Sequence, residues 1–431
     1  MRLFPASARR RSWPAARPFG RVCAAVVAAM IGASAAGAQE GQPNPSSSFR
    51  LRTSIKASAL LFRAPDAPPL FPARTGASSM WRIRVEPEVS AGPRAVFTVA
   101  YEQRLRHPSS VSGITAVGLP AEHGVVPFRI RPLDWSLMES AGASWRHEID
   151  RANVRLARGR TELTLGRQAV GWGRGVMFGA VDLFAPFSPL EADREWRRGV
   201  DAVRADVKLT DRSSIDLVGA LGTSWDRSAV AARVRGYAGP MDLEVVGGRR
   251  ARDLFTGVTT SAAVGDAELH GELAAFHVPR GALDEASSVV WKAVAGGSYR
   301  FAVGSGILAY AEYHYSGFGS PRPEDILPML GTPAFTERYL RGDTQMLSRH
   351  AVAVTAAYEA TTDMSLAGQW VHNPRDGSGI VAPSLTFTVS DEVSLLGTTY
   401  LPYGRPPRGL LLRSEYGAAS LSGLFQLRVA F

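Results

Sequence analysis

The sequence predicts an all-β fold: a closed antiparallel transmembrane β-barrel of about eighteen strands, within the roughly 16–18 that leave an aqueous channel. Three observations carry this. Apolar and polar residues alternate with period two from residue 48 to the C-terminus, and no helical spacing is sustained. Connections between the alternating segments are short and long in turn. No stretch beyond the first 38 residues approaches the roughly 18 consecutive apolar residues of a membrane helix, although 45% of the 431 residues are hydrophobic. A wall with one lipid face and one water face averages out, which suits a mean hydropathy of −0.04.

The N-terminus comes first. Arg2, Arg9, Arg10, Arg11, Arg17 and Arg21 stand without an acid, ahead of the apolar run Val22–Ile31 and the small residues Ala36-Gly37-Ala38. This is the pattern of a secretory signal over 1–38, cleaved after Ala38. A polar lead over 39–47 and a single barrel over 48–431 follow. The signal holds six of the 49 basic residues, so the formal +10 falls to 43 basic against 39 acidic, or +4. The remaining cations are almost all Arg and lie beside acids along the chain. A nucleic-acid footprint would cluster on one element, so nucleic acid is not an expected partner. The only cysteine, Cys23, lies in the signal, which excludes a disulfide framework, a thiolate metal site and a Cys nucleophile.

Strands are predicted at 48–62, 79–89, 95–106, 147–157, 161–170, 199–209, 214–222, 228–237 and 241–249. Nine more follow at 253–262, 267–277, 287–301, 307–316, 348–360, 364–373, 380–389, 393–401 and 420–431. The clearest is 79–89, where Trp81, Ile83, Val85 and Val89 alternate with Arg82, Arg84, Glu86 and Glu88. Every second connection is a short turn (SAGPR, RGR, TDRS, AGP, AVGD, AVGSG, TTD, SDE). The long ones, 63–78, 107–146, 171–198, 317–347 and 402–419, all fall on the other side. Short periplasmic turns opposite long extracellular loops are what an outer-membrane barrel predicts. Strand-end aromatics Trp81, Tyr101, Trp291, Tyr313, Tyr315, Tyr358, Trp370, Tyr400 and Phe431 suit interfacial girdles against outer-membrane lipid.

The final segment, Leu421 to Phe431, is apolar or Gly at odd positions and ends on an aromatic. It resembles the C-terminal recognition strand of Gram-negative outer-membrane proteins. That resemblance implies the cell outer membrane as location and the barrel assembly machinery as a partner through Phe431. A second stretch runs Gly166-Arg167-Gln168, Trp172-Gly173, Val181-Asp182-Leu183-Phe184-Ala185-Pro186, then Arg198-Gly199-Val200-Asp201. It resembles porin-like barrels, including the alginate-export type, over about 40 residues. The resemblance is more specific for fold than for substrate. The apolar, Pro-bearing loop 171–198 is a candidate constriction, with Arg167, Asp182 and Arg198 near its mouth.

Parity assigns the solute-facing candidates: Arg82, Arg84, Arg104, Arg106, Arg155, Arg204, Lys208, Arg233, Arg235 and Arg300. Arg151, Lys292 and Arg428 share their parity, and Glu102, Asp206, Asp216, Glu244, Glu268, Glu272 and Glu312 face them from the same side. Facing rows of opposite charge guide charged solutes through pores. The expected function is a porin-like channel for passive passage of small hydrophilic solutes, with a weak anion preference. The alternative is a barrel enzyme or surface adhesin working through loops 107–146 and 317–347. No catalytic residue, metal site or cofactor is assigned: the eight His show no HExxH spacing and no G-x-S-x-G occurs. His270, between Glu268 and Glu272, reads as lumenal polarity.

Overall fold

The computed structural model describes residues 47–107, 126–140, 142–279 and 289–431. The predicted signal over 1–38 lies outside them, as do nearly all of the polar lead and His123. Period-two alternation folds as expected, into the strands β1 (Ser47–Arg63), β2 (Thr75–Ala91), β3 (Ala95–His107), β4 (Asp134–Ser140), β5 (Ala143–Arg158) and β6 (Thr161–Gln168). They continue as β7 (Val200–Thr210), β8 (Ser213–Ala220), β9 (Ala229–Ala238), β10 (Met241–Arg250), β11 (Asp253–Val264), β12 (Ala267–His277) and β13 (Val289–Phe301). The last are β14 (Ile307–Ser316), β15 (His350–Glu359), β16 (Met364–Asn373), β17 (Ser378–Thr388), β18 (Val393–Tyr403) and β19 (Leu421–Ala430).

All of them except β4 form one closed antiparallel barrel of 18 strands, each coinciding with a predicted segment. The seam joins β1 to β19 from Ser54↔Ala430 to Arg63↔Leu421. Beyond it, Thr53 and Phe431 exchange both backbone hydrogen bonds, at 3.2 and 2.8 Å. Closure leaves no edge, the condition for a sheet in hydrocarbon, where every N–H and C=O needs a partner. Outward parity carries exposed apolar side chains such as Trp81, Phe97, Val203, Val245, Leu273 and Leu385.

Four features depart from the expectation. The loop 107–146 contains β4, which pairs with the loop end of β5 while β6 takes the same edge lower down; it stacks beyond β6 and adds no nineteenth stave. A bulge opposite Ala100/Tyr101 leaves Asp150 unmatched, so Asp150 and Arg151 both turn inward. The loop 317–347 holds two short helices, α1 (Ile326–Leu330) and α2 (Pro333–Arg341). Thr332 caps α2 by accepting the Phe335 N–H, Pro333 starts it, and Gly342 at φ 81° stops it. One to three turns are too few to display a helical period. Lastly, Tyr400 is no girdle residue: its even position in β18 turns it inward, 2% exposed, while Leu401 and Tyr403 face outward.

Candidate functional site: a loop docked inside the barrel

The connection between β6 and β7, residues 169–199, folds into the barrel. Its apolar residues Val170, Trp172, Phe178, Val181, Leu183 and Phe184 are nearly fully buried, which the hydrophobic effect favours once polar anchors exist along the wall. Those anchors follow the chain around the lumen. Trp172 Nε1 donates to Asp216 of β8 at 2.9 Å, and Arg174 pairs with Asp242 and Glu244 of β10.

On β12, Glu272 accepts the backbone N–H groups of Arg174, Gly175, Ala180 and Val181, the last three at 2.8, 2.6 and 3.2 Å. On β14, Glu312 accepts those of Val176, Met177 and Phe178, the last two at 3.0 Å each. His270 Nε2 lies 3.1 Å from Glu312 and its Nδ1 lies 3.0 Å from Glu268, so this histidine braces a clamp. Gly173 is required here: at φ 102° a Cβ would sit 2.7 Å from Glu272 Oε1.

The far half of the loop is held by side chains. Pro189 O accepts from Gln369 of β16 at 2.8 Å. Asp193 pairs with Lys56 of β1 at 2.6 Å and with Arg82 of β2 at 3.3 Å. Glu195 pairs with Lys56 at 2.7 Å and with Arg428 of β19 at 3.0 Å. Trp196 lies under three cations, Lys56, Arg82 and Arg84, at 4.0, 4.8 and 5.0 Å. From the extracellular side, Gln345 accepts the Gly179 N–H at 2.7 Å and donates to Phe187 O at 3.0 Å.

The solute-contact candidates divide into three groups. Arg82 and Arg84 are buried and saturated by Glu102, Glu86, Asp150 and Asp193. Arg104 pairs with Glu148, Arg204 with Asp216, Arg233 with Asp216 and Glu244, and Arg235 with Asp242. These are part-exposed and form ion-paired arcs on β3 and on β7 to β10. Arg155, Lys208 and Arg300 are exposed on the inward parity without an ion pair among the described residues. Arg106 is half-buried on the same face.

Of the constriction candidates, Arg167 is 2% exposed, bound to Asp201 and to the carbonyls of Arg131, Pro132 and Ile149. It fixes the wall beneath the loop and does not line the mouth. Arg198 lies 3.5 Å from Glu148. Burial, with Arg104 and Arg129 adding, pushes it down to about 10 against the pull of Glu148. Asp182 pairs with Arg197 at 2.6 Å; burial raises its carboxyl above the ordinary range while Arg197 pulls it back.

Asp182 does line a cavity of about 260 Å³, together with Met177, Phe178, Phe187, Arg194, Arg197 and Gln345. Arg194 donates only to Met177, through its sulfur and its carbonyl, so the cavity holds one cation without a carboxylate partner among the described residues. Arg194 and Arg197 also face the Phe187 ring at 5.7 and 5.1 Å. Parity reasoning placed Glu272 and Glu312 inside but could not see them as clamps. It missed Asp193, Glu195, Trp196, Arg194 and Gln345, since loops carry no period. No group of three or more metal-ligating side chains occurs among the described residues.

No protein-family model matches the chain, and no curated protein matches it in sequence. Solved structures match in fold. OccAB4 of Acinetobacter baumannii aligns at TM-score 0.52 and 9% identity, over 90% of this chain and 99% of that one. OccK9 (OpdG) of Pseudomonas aeruginosa aligns at 0.51 and 9%, over 89% and 98%. A BenF-like porin from Pseudomonas fluorescens Pf-5 aligns at 0.51 and 8%, over 89% and 98%. At such identities the likeness is one of fold: a large closed antiparallel β-barrel like those of these porins.

Proposed function

We propose that this chain is an outer-membrane channel that passes small hydrophilic solutes by diffusion, with a modest preference for anions. The observation that carries the reading is the docked loop 169–199. It narrows an 18-stranded barrel from within and leaves a cavity whose one cation outside a direct ion pair, among the described residues, is Arg194. Eighteen strands otherwise enclose an aqueous lumen, and Arg155, Lys208 and Arg300 add unpaired cations below the loop. The stretch that resembles alginate-export-type barrels falls on this loop, in keeping with an anionic solute but not selecting one. Export by cleavage after Ala38 and delivery to the assembly machinery through β19 and Phe431 belong to the same proposal; mass spectrometry of the exported protein should find Gln39 at its N-terminus.

Planar-bilayer recording of refolded protein tests the channel. Discrete conductance steps are expected, with a reversal potential in a KCl gradient displaced toward chloride. Arg194→Gln should move that potential toward potassium. A protein with no discrete conductance under any salt or voltage would remove the channel reading and spare the fold.

A further inference from the structure

Of the seven described histidines, only His270 and His314 point inward. The other five, His107, His147, His277, His350 and His372, face outward, all at the loop ends of their strands. The turn end of the same outer face carries Phe49, Phe97, Tyr299, Phe301 and Phe387 and no histidine among the described residues. An aromatic belt needs only amphipathic rings, so this asymmetry calls for a polar partner at one leaflet.

The patch on β14 to β18 is built for one. Tyr313 Oη lies 2.7 Å from His350 Nδ1. Tyr403 Oη accepts from Trp370 Nε1 at 2.7 Å and lies 2.9 Å from His372 Nδ1. Tyr403 reaches them by crossing β17 at Gly379, where a Cβ would come within 2.4 Å of its hydroxyl. These bonds fix both imidazoles and leave each Nε2 uncommitted. Two guanidinium groups belong to the same end of these strands, Arg349 directly before β15 and Arg375 in the turn between β16 and β17. Arg349 Nε donates to Gly319 O at 3.2 Å, and neither side chain is held by a carboxylate among the described residues. The adjacent acid is turned away: Asp376 accepts the backbone N–H groups of Glu415 and Ser378, at 2.7 and 2.9 Å.

We propose that this patch docks the phosphate-bearing headgroup of an outer-leaflet glycolipid. Arg349 and Arg375 supply charge, and the two imidazoles with the Tyr and Trp rings cover the sugar–acyl boundary. Charge complementarity selects the occupant, because juxtamembrane Arg is attracted to anionic headgroups. The inference rests on the outer-membrane placement and not on what passes through the pore.

Native mass spectrometry of the refolded full-length barrel, with added bisphosphorylated lipid A, tests it. Wild type should retain the lipid, and R349Q/R375Q should lose roughly tenfold or more in retention. R63Q, which removes an outward Arg on β1, should match wild type. Lipid A stripped of both phosphates should bind both proteins equally weakly, and millimolar inorganic phosphate should not displace the intact lipid. Equal retention by wild type and R349Q/R375Q would overturn the proposal, as would retention indifferent to the lipid phosphates. Displacement by inorganic phosphate would also overturn it, marking a free-anion site. Conductance of R349Q/R375Q should equal wild type, so a failed channel and a failed lipid site give different results.

Discussion

The docked loop meets two opposite walls of the barrel, and the two hold it by different chemistry. On β12 and β14 two carboxylates, Glu272 and Glu312, take seven backbone N–H groups between Arg174 and Val181. On β1, β2 and β19 the loop offers side chains, Asp193, Glu195 and Trp196, to the cations Lys56, Arg82 and Arg428. The first contact reads only the path of the main chain and tolerates most side chains outside Gly173 and Gly175, where a Cβ would meet Glu272 and the Phe178 carbonyl. The second reads side-chain identity and breaks when one partner changes. The acidic wall therefore sets where the loop lies, and the cationic wall sets which face it shows.

The largest effect should come from the acidic wall. Glu272→Ala with Glu312→Ala orphans seven amides, each costing about 1–3 kcal/mol if it stays buried. The loop should leave the wall: conductance should rise several-fold and amide exchange over 174–181 should become fast. Unchanged conductance together with unchanged protection would break the comparison. Next comes Lys56→Met, which leaves the buried Asp193 with only its longer pair to Arg82, at a cost below the roughly 3–5 kcal/mol of a fully stranded charge. Hydrogen exchange over 192–196 should report local opening, and adding Asp193→Leu should restore much of the protection. On the acidic wall, a paired apolar replacement should rescue nothing.

A smaller effect concerns the extracellular rim. Burial pushes the Glu415 carboxyl up to about 7, with Asp376 adding and the Ser348 and Asn373 hydrogen bonds opposing. The folded state then binds a proton that the unfolded chain releases at ordinary carboxylate pH. Its contribution is fully present below the ordinary carboxylate range and is lost as pH rises through about 7. Exchange at Leu347 and Ser348, whose N–H groups Glu415 accepts at 3.0 and 3.1 Å, should quicken between pH 5.5 and 8.5 in wild type by more than intrinsic chemistry requires. Glu415→Gln should flatten that excess. The smallest effect belongs to the exposed pair Arg428–Glu195, 37% and 36% exposed. Arg428→Gln should shift thermal unfolding by less than about 1 kcal/mol.

The sequence disclosed the wall far better than the loop. Each stave buries one face and wets or oils the other, so its period is written into side chains such as Trp81 against Arg82, and Gly- and Asp-bearing turns mark its end. Docking of the loop is written mainly in backbone amides, which are the same for every residue type. Glu272 and Glu312 were recognisable as inward acids, yet nothing distinguished them from Asp206, which takes no loop amide. Arg167 adjoins the loop expected to fold inward and so reads as a mouth residue, whereas its partners are Asp201 and three carbonyls from distant segments. The strand β4 and helix α2 are too short, and too dependent on what they pack against, to impose a period of their own.

The seam has a consequence for how such a molecule comes into being. Phe431 bonds to Thr53, so the wall closes only when the last strand of the barrel meets the first. Until that moment β1 and β19 are free edges, open to any other strand. The loop's cationic dock is likewise unfinished, since Glu195 reaches for Lys56 on one side of the seam and Arg428 on the other. A truncated chain would thus lack both its last stave and the complete surface on which its constriction rests. Closing the seam therefore completes the dock of the inner loop along with the wall.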